Sequence, residues 1–357
     1  MYIPQIAIEG GDLTGKTTLQ KELMSGDMKI GYEVFVSDRS ILTHIVYSEH
    51  FKRHQEFISA WYKDLIDFLC SNGMIILTAT DDTVKKRFGD RGDDKYSLAK
   101  ILQINALYNK KAELLGSLPF VKVIAVDEKT VAKIVDEIKT WAASIRDRRM
   151  ADQIDNLYYL IEAFGSEAGT TKELRNVRLQ QHTKQLRPEQ FDTLLDFYAD
   201  YSKKIGGHKE YGMAIDNHAV FYRAFKEKLL YIIKKETEMY KEEPLASRRF
   251  HVTNDQGGCI NTLGINFRKN ANNKIDMNIT ANLRSSDIAI LAFDLLGVYQ
   301  ICESIILPQT SKKTEMSKVV QRISNFYITI NIDSAHIVHP EKLKEYHDNN
   351  NSRTSKK

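Results

Sequence analysis

The stretch Gly10-Gly11-Asp12-Leu13-Thr14-Gly15-Lys16-Thr17 constrains this chain more than any other feature. It fits GxxxxGK[ST] and stands between an apolar run at 2–8 and a helical pattern at 17–25, the context in which that spacing has physical meaning. Glycines let the backbone turn with its N–H groups aimed inward, the helix N-terminus adds positive potential, and the result is a cradle for phosphate oxygens. Lys16 is then placed for the β- and γ-phosphates, while Thr17, followed by Thr18, opens the helix and offers its hydroxyl to Mg2+. The expected occupant of residues 10–18 is ATP with Mg2+.

The same alternation continues beyond the loop. Apolar runs at 33–37, 74–78 and 121–126 alternate with helical patterns at 51–70, 99–115 and 130–144, which predicts a parallel sheet with helices on both faces over 1–147. A charged stretch at 81–96 lies within it, and the run IRDRR at 145–149 marks its end. From 150 the pattern is first helical. After Pro244 it becomes strands at 249–253, 260–268 and 274–283, a buried helix at 287–306 and a strand at 325–338, an α+β domain over 150–340. The polar stretch 341–357, ending NNNSRTSKK, has little to bury and reads as a disordered tail.

A length of 357 residues with 42% hydrophobic content suits two cores. No apolar run approaches the ~18 residues of a membrane span, and MYIPQIAIEGG has neither a basic n-region nor a small-residue cleavage site, so a cytoplasmic protein without a membrane partner is expected. Cys70, Cys259 and Cys302 are too scattered for a disulfide framework or a CxxC zinc site, which fits a reducing compartment and leaves room for a reactive thiol. The net charge of +4 lies partly in Arg146, Arg148, Arg149 and the terminal SRTSKK, and suits phosphate-bearing small molecules at least as well as nucleic acid.

The segment IEGGDLTGKTT resembles the phosphate loop of thymidylate kinases and related deoxynucleoside monophosphate kinases, and the likeness covers about residues 1–145. The resemblance implies that Asp12 contacts the sugar of the acceptor nucleotide. Asp38-Arg39-Ser40 matches the family's DR motif, so Arg39 would grip the acceptor phosphate. Leu13 stands where some members carry an arginine, which turns attention to Arg87 and Arg91 in the lid-like KKRFGDRGDD. Such cations neutralise charge on the transferring phosphoryl group. DRS in place of the commoner DRY leaves the acceptor base open.

Four pieces of the second part resemble the thymidylate synthase superfamily in order and spacing: Ser247-Arg248-Arg249, Cys259-Ile260-Asn261-Thr262, Leu283-Arg284-Ser285-Ser286-Asp287, and NIDSAHIV at 331–338. Tyr211-Gly212 adds a weaker match, and Cys-x-Asn-Thr looks closer to phage deoxycytidylate hydroxymethylases than to synthases. A thiolate that adds at C6 of a pyrimidine makes C5 nucleophilic enough to attack the methylene of a folate. The resemblance makes Cys259 that nucleophile and 5,10-methylenetetrahydrofolate the carbon donor. It places Arg284 and Ser285 on the nucleotide phosphate, with Arg248 and Arg249 reaching in from the second subunit of a homodimer. Asp287 and His336 would contact substrate, and Asp294 would accept the N4 proton of cytosine. The chain departs from the family at Leu194, where a general acid/base Glu is usual with Asp196 two residues on, and at Val338, where a Tyr is usual. Arg175 and Arg178 are the candidates for a further phosphate-binding arginine.

The expected function is therefore bifunctional: ATP-dependent phosphorylation of a deoxynucleoside monophosphate, and folate-dependent hydroxymethylation or methylation of dCMP or dUMP. Two alternatives stay open. In the first the synthase-like part is an inactive nucleotide-binding or dimerisation module, and in the second the kinase acts on hydroxymethylated bases in DNA.

Overall fold

Strand β1 (Gln5–Gly10) sends Ile6 and Ile8 to one side and Ala7 and Glu9 to the other, all of them out of water. The computed structural model describes residues 5–25, 35–93, 95–146, 149–239, 250–253, 259–310 and 315–354, and the chain divides into two units, Ile3–Arg148 and Arg149–Lys357. In the first unit β1 is followed by α1 (Lys16–Ser25), β2 (Phe35–Asp38), α2 (Ile41–Phe51), α3 (Ile58–Ser71), β3 (Gly73–Thr78), α4 (Asp81–Arg91), α5 (Leu98–Leu115), β4 (Val121–Ala125) and α6 (Val131–Arg146). The strands pair in parallel in the order β2-β1-β3-β4. Ile6, Ile8, Ile75 and Leu77 pack with Leu19 and Leu23 of α1 and Val135 and Ile138 of α6. Helices α2, α3 and α5 contact β1 and β3 from the opposite side. The mixed α/β content and helix-flanked parallel sheet follow the expectation for this part.

The long helix expected at 51–70 begins only at Ile58, as α3, and a separate helix that the sequence reading did not expect, α2, precedes it. α2 ends as Lys52 turns left-handed (φ 51°), His54 does the same, and a 3-10 turn at Gln55–Phe57 leads into α3. The intervening Lys52-Arg53-His54-Gln55 offers no apolar side chain to carry a helical stripe across the break. The start of α2 is set by Ser40, whose Oγ accepts the Leu42 N–H at 3.3 Å. The charged stretch after β3 is helix α4, capped by Thr80 and opened by Asp81 and Asp82, acids that suit the positive end of a helix.

The second unit begins with α7 (Met150–Phe164), β5 (Ser166–Ala168), β6 (Thr171–Thr183), α8 (Asp192–Lys204), α9 (His208–Met239), β7 (His251–Thr253), β8 (Ile260–Lys269) and β9 (Ile275–Leu283). It continues through β10 (Ser286–Asp287), α10 (Ile288–Thr310), α11 (Glu315–Val320), β11 (Ile323–Val338) and α12 (Pro340–Thr354). Its mixed sheet runs β5-β6-β11-β9-β8-β7, with β10 beside β11, and within it β11 pairs in parallel with β9 and β10 while the other described pairs are antiparallel. Ile265, Ile279, Ile330 and Ile332 are buried in the sheet, and α10, whose Leu291 and Leu295 are buried, contacts β11. Strand β6 escapes a period-two reading because its buried Leu174, Val177 and Leu179 lose strict alternation at Asn176, where φ is 56°.

The disordered tail expected at 341–357 is corrected over its described residues, which form helix α12 up to Thr354. Leu343 and His347, one helical turn apart, are both buried, and the His347 ring stacks on Tyr158 of α7 at 3.9 Å. Tyr346 donates to Asp200 of α8 at 2.5 Å. Two or three docked side chains per two turns hold a helix whose overall composition is polar. Among the described residues no helix is long and apolar enough to cross a membrane.

Leu343→Ala is expected to cost about 2–5 kcal/mol, as large-to-small core changes do, and the exposed Lys344→Ala less than about 0.5 kcal/mol. Urea unfolding of the full chain followed by circular dichroism tests this, and equal midpoints for the two variants would contradict a docked α12.

Candidate functional site

The phosphate-loop pattern occupies the turn between β1 and α1, as strand end and helix start require. Gly10 has φ 147°, and a Cβ there would stand 2.7 Å from the Leu77 carbonyl oxygen, so no other residue fits. Gly15 has φ 94°, again glycine backbone, just before the first helical N–H groups. Lys16 lies inside the turn with little exposure, donating to the carbonyls of Gly10 at 2.7 Å and Gly11 at 2.8 Å. Burial pushes its ammonium pKa down, against the opposing charge of Asp12. Thr14 closes the loop by donating its hydroxyl to the Gly11 carbonyl at 2.7 Å.

Asp38 ends β2 beside the loop. Thr17 Oγ1 donates to Asp38 Oδ2 at 3.2 Å, while Asp38 Oδ1 is buried without a hydrogen-bond partner. A hydroxyl next to a carboxylate with spare buried lone pairs is a donor set that fits Mg2+, a hard cation taking oxygen ligands. Asp12 draws a second group together. Its Oδ1 lies 3.6 Å from Arg39 Nη2, and its Oδ2 accepts the Tyr47 hydroxyl at 2.8 Å. The Arg39 guanidinium stands 5.9 Å from the centre of the Tyr47 ring. Burial and the Asp12 charge raise the Tyr47 pKa, keeping its proton available for that bond.

Behind Tyr47 opens a cavity of about 580 Å³ walled by His44, Phe51, Arg53, Phe57, Trp61 and Tyr96, with Thr43 and Ser48 at its side. Tyr47, Phe51 and Tyr96 form a continuous set of ring contacts, with Phe51 5.7 Å from Tyr96. No acidic side chain is part of this wall among the described residues. Of the two expected lid arginines, Arg87 reaches the loop and donates to the Leu13 carbonyl at 2.8 Å, whereas Arg91 is exposed in the last turn of α4. The sequence reading missed Tyr47, the cavity and Glu9. Glu9 alone carried a signal, a charged residue in an otherwise apolar strand.

In the second unit, Cys259 stands immediately before β8, and its carbonyl accepts the Arg284 N–H at 2.9 Å. Asp294 is fully buried on α10. Its Oδ1 accepts the Tyr222 hydroxyl at 2.6 Å, its Oδ2 accepts Ser286 Oγ at 2.8 Å, and the Cys259 thiol also bonds to it. Desolvation and then the Asp294 carboxylate push the Cys259 thiol up to about 12, with the Arg284 charge working the other way. Ser285 Oγ lies 3.4 Å from His336 Nδ1, and Asp287 pairs with His336 in the β10–β11 ladder. Asp287 accepts the Ala289 N–H at 3.1 Å, and burial raises its pKa despite that bond and the nearby His336 and His339. Tyr201 and Tyr211 bring buried hydroxyls without partners, both under the influence of the Asp287 charge. A hydrogen-bonding ligand would satisfy this polar set.

Cys259, Arg284, Ser285, Asp287, Asp294 and His336 are thus brought together by β8, β10, β11 and α10. Arg248 and Arg249 lie outside the described residues. Asp196 is exposed on α8, two positions after Leu194. Arg175 is mostly exposed and paired with Glu173 at 2.8 Å. No known family model matches the chain, and no curated protein sequence matches it.

A thiol held by Asp294 is a poor nucleophile at neutral pH, so alkylation of Cys259 by iodoacetamide at pH 8 is expected to run at least about tenfold slower than that of free cysteine. The rate should climb with pH as thiolate appears. Asp294→Asn removes the carboxylate that raises the thiol and should speed the reaction. Peptide-resolved mass spectrometry reads each cysteine separately, and a rate equal to free cysteine would refute the held thiol.

Proposed function

We propose that this protein is a bifunctional deoxypyrimidine nucleotide enzyme whose first unit transfers the γ-phosphoryl group of ATP to a deoxynucleoside monophosphate. The observation that carries the reading is a convergence at one end of the parallel sheet: the Lys16 loop, the Thr17–Asp38 pair, the Arg39–Asp12 pair and the aromatic cavity adjoin one another. Each supplies a part that phosphoryl transfer needs. Loop N–H groups and Lys16 hold the donor phosphates, and Thr17 with Asp38 would hold Mg2+, which neutralises phosphate charge. Arg39 grips the acceptor phosphate while Asp12 and Tyr47 orient its sugar. The base enters among Phe51, Trp61 and Tyr96, where ring stacking is favourable.

An oxygen of the acceptor phosphate then attacks the γ-phosphorus. The bond from that phosphorus to the β–γ bridging oxygen breaks, leaving ADP and a nucleoside diphosphate. An acceptor phosphate already ionised needs no general base, so positioning and charge neutralisation are the whole task. Arg87, fixed on the loop through the Leu13 carbonyl, adds positive charge beside it.

For the second unit the reading is folate-dependent C5 hydroxymethylation or methylation of dCMP or dUMP, with Cys259 adding at C6, Arg284 and Ser285 on the phosphate, and Asp294 at the base. The polar groups Asp287, Tyr201 and Tyr211 suit a heterocyclic ligand such as the folate. One observation favours a second reading, in which this unit binds nucleotide or joins two copies without catalysis: the Cys259 thiol is raised by burial and by its hydrogen bond to Asp294, and Leu194 offers no proton relay. Tritium release from [5-3H]dCMP or [5-3H]dUMP separates the two, because only a C6 adduct labilises the C5 hydrogen.

The kinase reading predicts ATP- and Mg2+-dependent phosphorylation of at least one member of a panel of dCMP, dUMP, dTMP and their 5-hydroxymethyl forms. Lys16→Ala should lower the rate by on the order of 10^2 or more, the usual cost of removing a transition-state charge partner. Wild type inactive on every monophosphate would overturn the reading.

A further inference from the structure

Glu9 has no solvent exposure and stands at the penultimate position of β1, directly before the loop. A buried carboxylate is costly unless donors surround it, and here four do. Oε1 accepts the Ser40 N–H at 2.5 Å and the Ser40 hydroxyl at 2.7 Å. Oε2 accepts the Thr43 hydroxyl at 2.7 Å and the Tyr108 hydroxyl at 3.2 Å. The donors come from the β2–α2 turn, from α2 and from α5. One acid thus ties the strand that leads into the phosphate loop to the turn that carries Arg39.

Arg39 itself has φ 75°, a left-handed conformation that a side-chain-bearing residue keeps only where its surroundings enforce it. The enforcement is visible on both sides. The Arg39 N–H donates to the Ile8 carbonyl at 3.0 Å, and the next N–H, that of Ser40, goes to Glu9. Residues 8 and 9 of β1 therefore hold two successive peptide groups of the turn, and the guanidinium is left facing Asp12 and the Tyr47 ring. We propose that Glu9 is a positioning residue: by fixing the Arg39 turn it sets the affinity for the acceptor phosphate, without touching either nucleotide.

This inference rests on the kinase reading of the first unit, and it separates from a general core role by chemistry. The Ser40 N–H cannot reorient, whereas the hydroxyls of Ser40, Thr43 and Tyr108 can rotate. Glutamine can therefore keep its amide oxygen on the Ser40 N–H and turn its NH2 toward hydroxyls that switch to accepting. Glu9→Gln preserves packing while loosening the hold on the turn.

The test is calorimetric binding of ATP and, separately, of dUMP, dCMP and dTMP to full-length wild type, Glu9→Gln, Arg39→Ala and the double variant. Expected is a loss of tenfold or more in monophosphate affinity for Glu9→Gln, ATP affinity within twofold of wild type, and no further loss when Glu9→Gln is added to Arg39→Ala. Equal weakening of ATP and monophosphate, or full additivity with Arg39→Ala, overturns the proposal and makes Glu9 a core support. Wild-type binding of monophosphate that Glu9→Gln leaves unchanged also overturns it, with the kinase reading intact. Wild type that binds ATP and no monophosphate overturns the acceptor reading and this role together. Should Glu9→Gln not fold, Ser40→Ala removes one donor from the same carboxylate; a smaller loss confined to the monophosphate is expected, and no change overturns the proposal.

Discussion

Lys16 and Glu9 are both withdrawn from water close together in sequence, and neither can remain there without partners. Lys16 takes the carbonyls of Gly10 and Gly11, which fixes the curvature of the loop from inside. Glu9 takes Ser40, Thr43 and Tyr108, which fixes what surrounds the loop. Burial moves the two groups in opposite directions, the ammonium down and the carboxyl up, and each is partly restored by the other's charge. The arrangement at the end of the sheet depends on these two groups being held in register. β1 carries one at its penultimate position and delivers the other seven residues later, so strand pairing and site geometry are a single constraint.

Much of the first unit is legible because its signals are local. Strands β1, β3 and β4 are short apolar runs, and the loop between β1 and α1 announces itself by glycine and lysine spacing. The break between α2 and α3 is not legible in the same way: it follows from left-handed residues at Lys52 and His54, on either side of Arg53, which no residue type there demands. The aromatic cavity depends on that break. It brings Phe57 and Trp61 of the second segment opposite Tyr47 and Phe51 of the first. Aromatic residues scattered over 47–96 become one wall only after the chain has turned back on itself.

The second unit was harder to read for two physical reasons. β6 is irregular at Asn176, so its buried positions do not alternate, and α12 docks by Leu343, Tyr346 and His347 within an otherwise polar sequence. A composition reading averages over such a stripe. A stacked imidazole and a buried leucine are enough to order a helix when a neighbour already presents aromatic surface, as Tyr158 and Phe197 do. Burial pushes the His347 pKa down to about 4, so the ring stacks as the neutral imidazole near neutral pH.

The family resemblance implies separate tasks for Cys259 and Asp294, one as nucleophile and one as base reader, yet the two meet in a single hydrogen bond. That meeting couples the two tasks. Tyr222, Ser286 and the thiol all donate to one carboxylate. Burial and that carboxylate together raise the Cys259 thiol. Arg284 is the cation there that lowers the thiol, and its own backbone N–H is bonded to the Cys259 carbonyl. The reactivity of this cysteine is a balance between burial and the Asp294 carboxylate, which raise the thiol, and the Arg284 guanidinium, which lowers it.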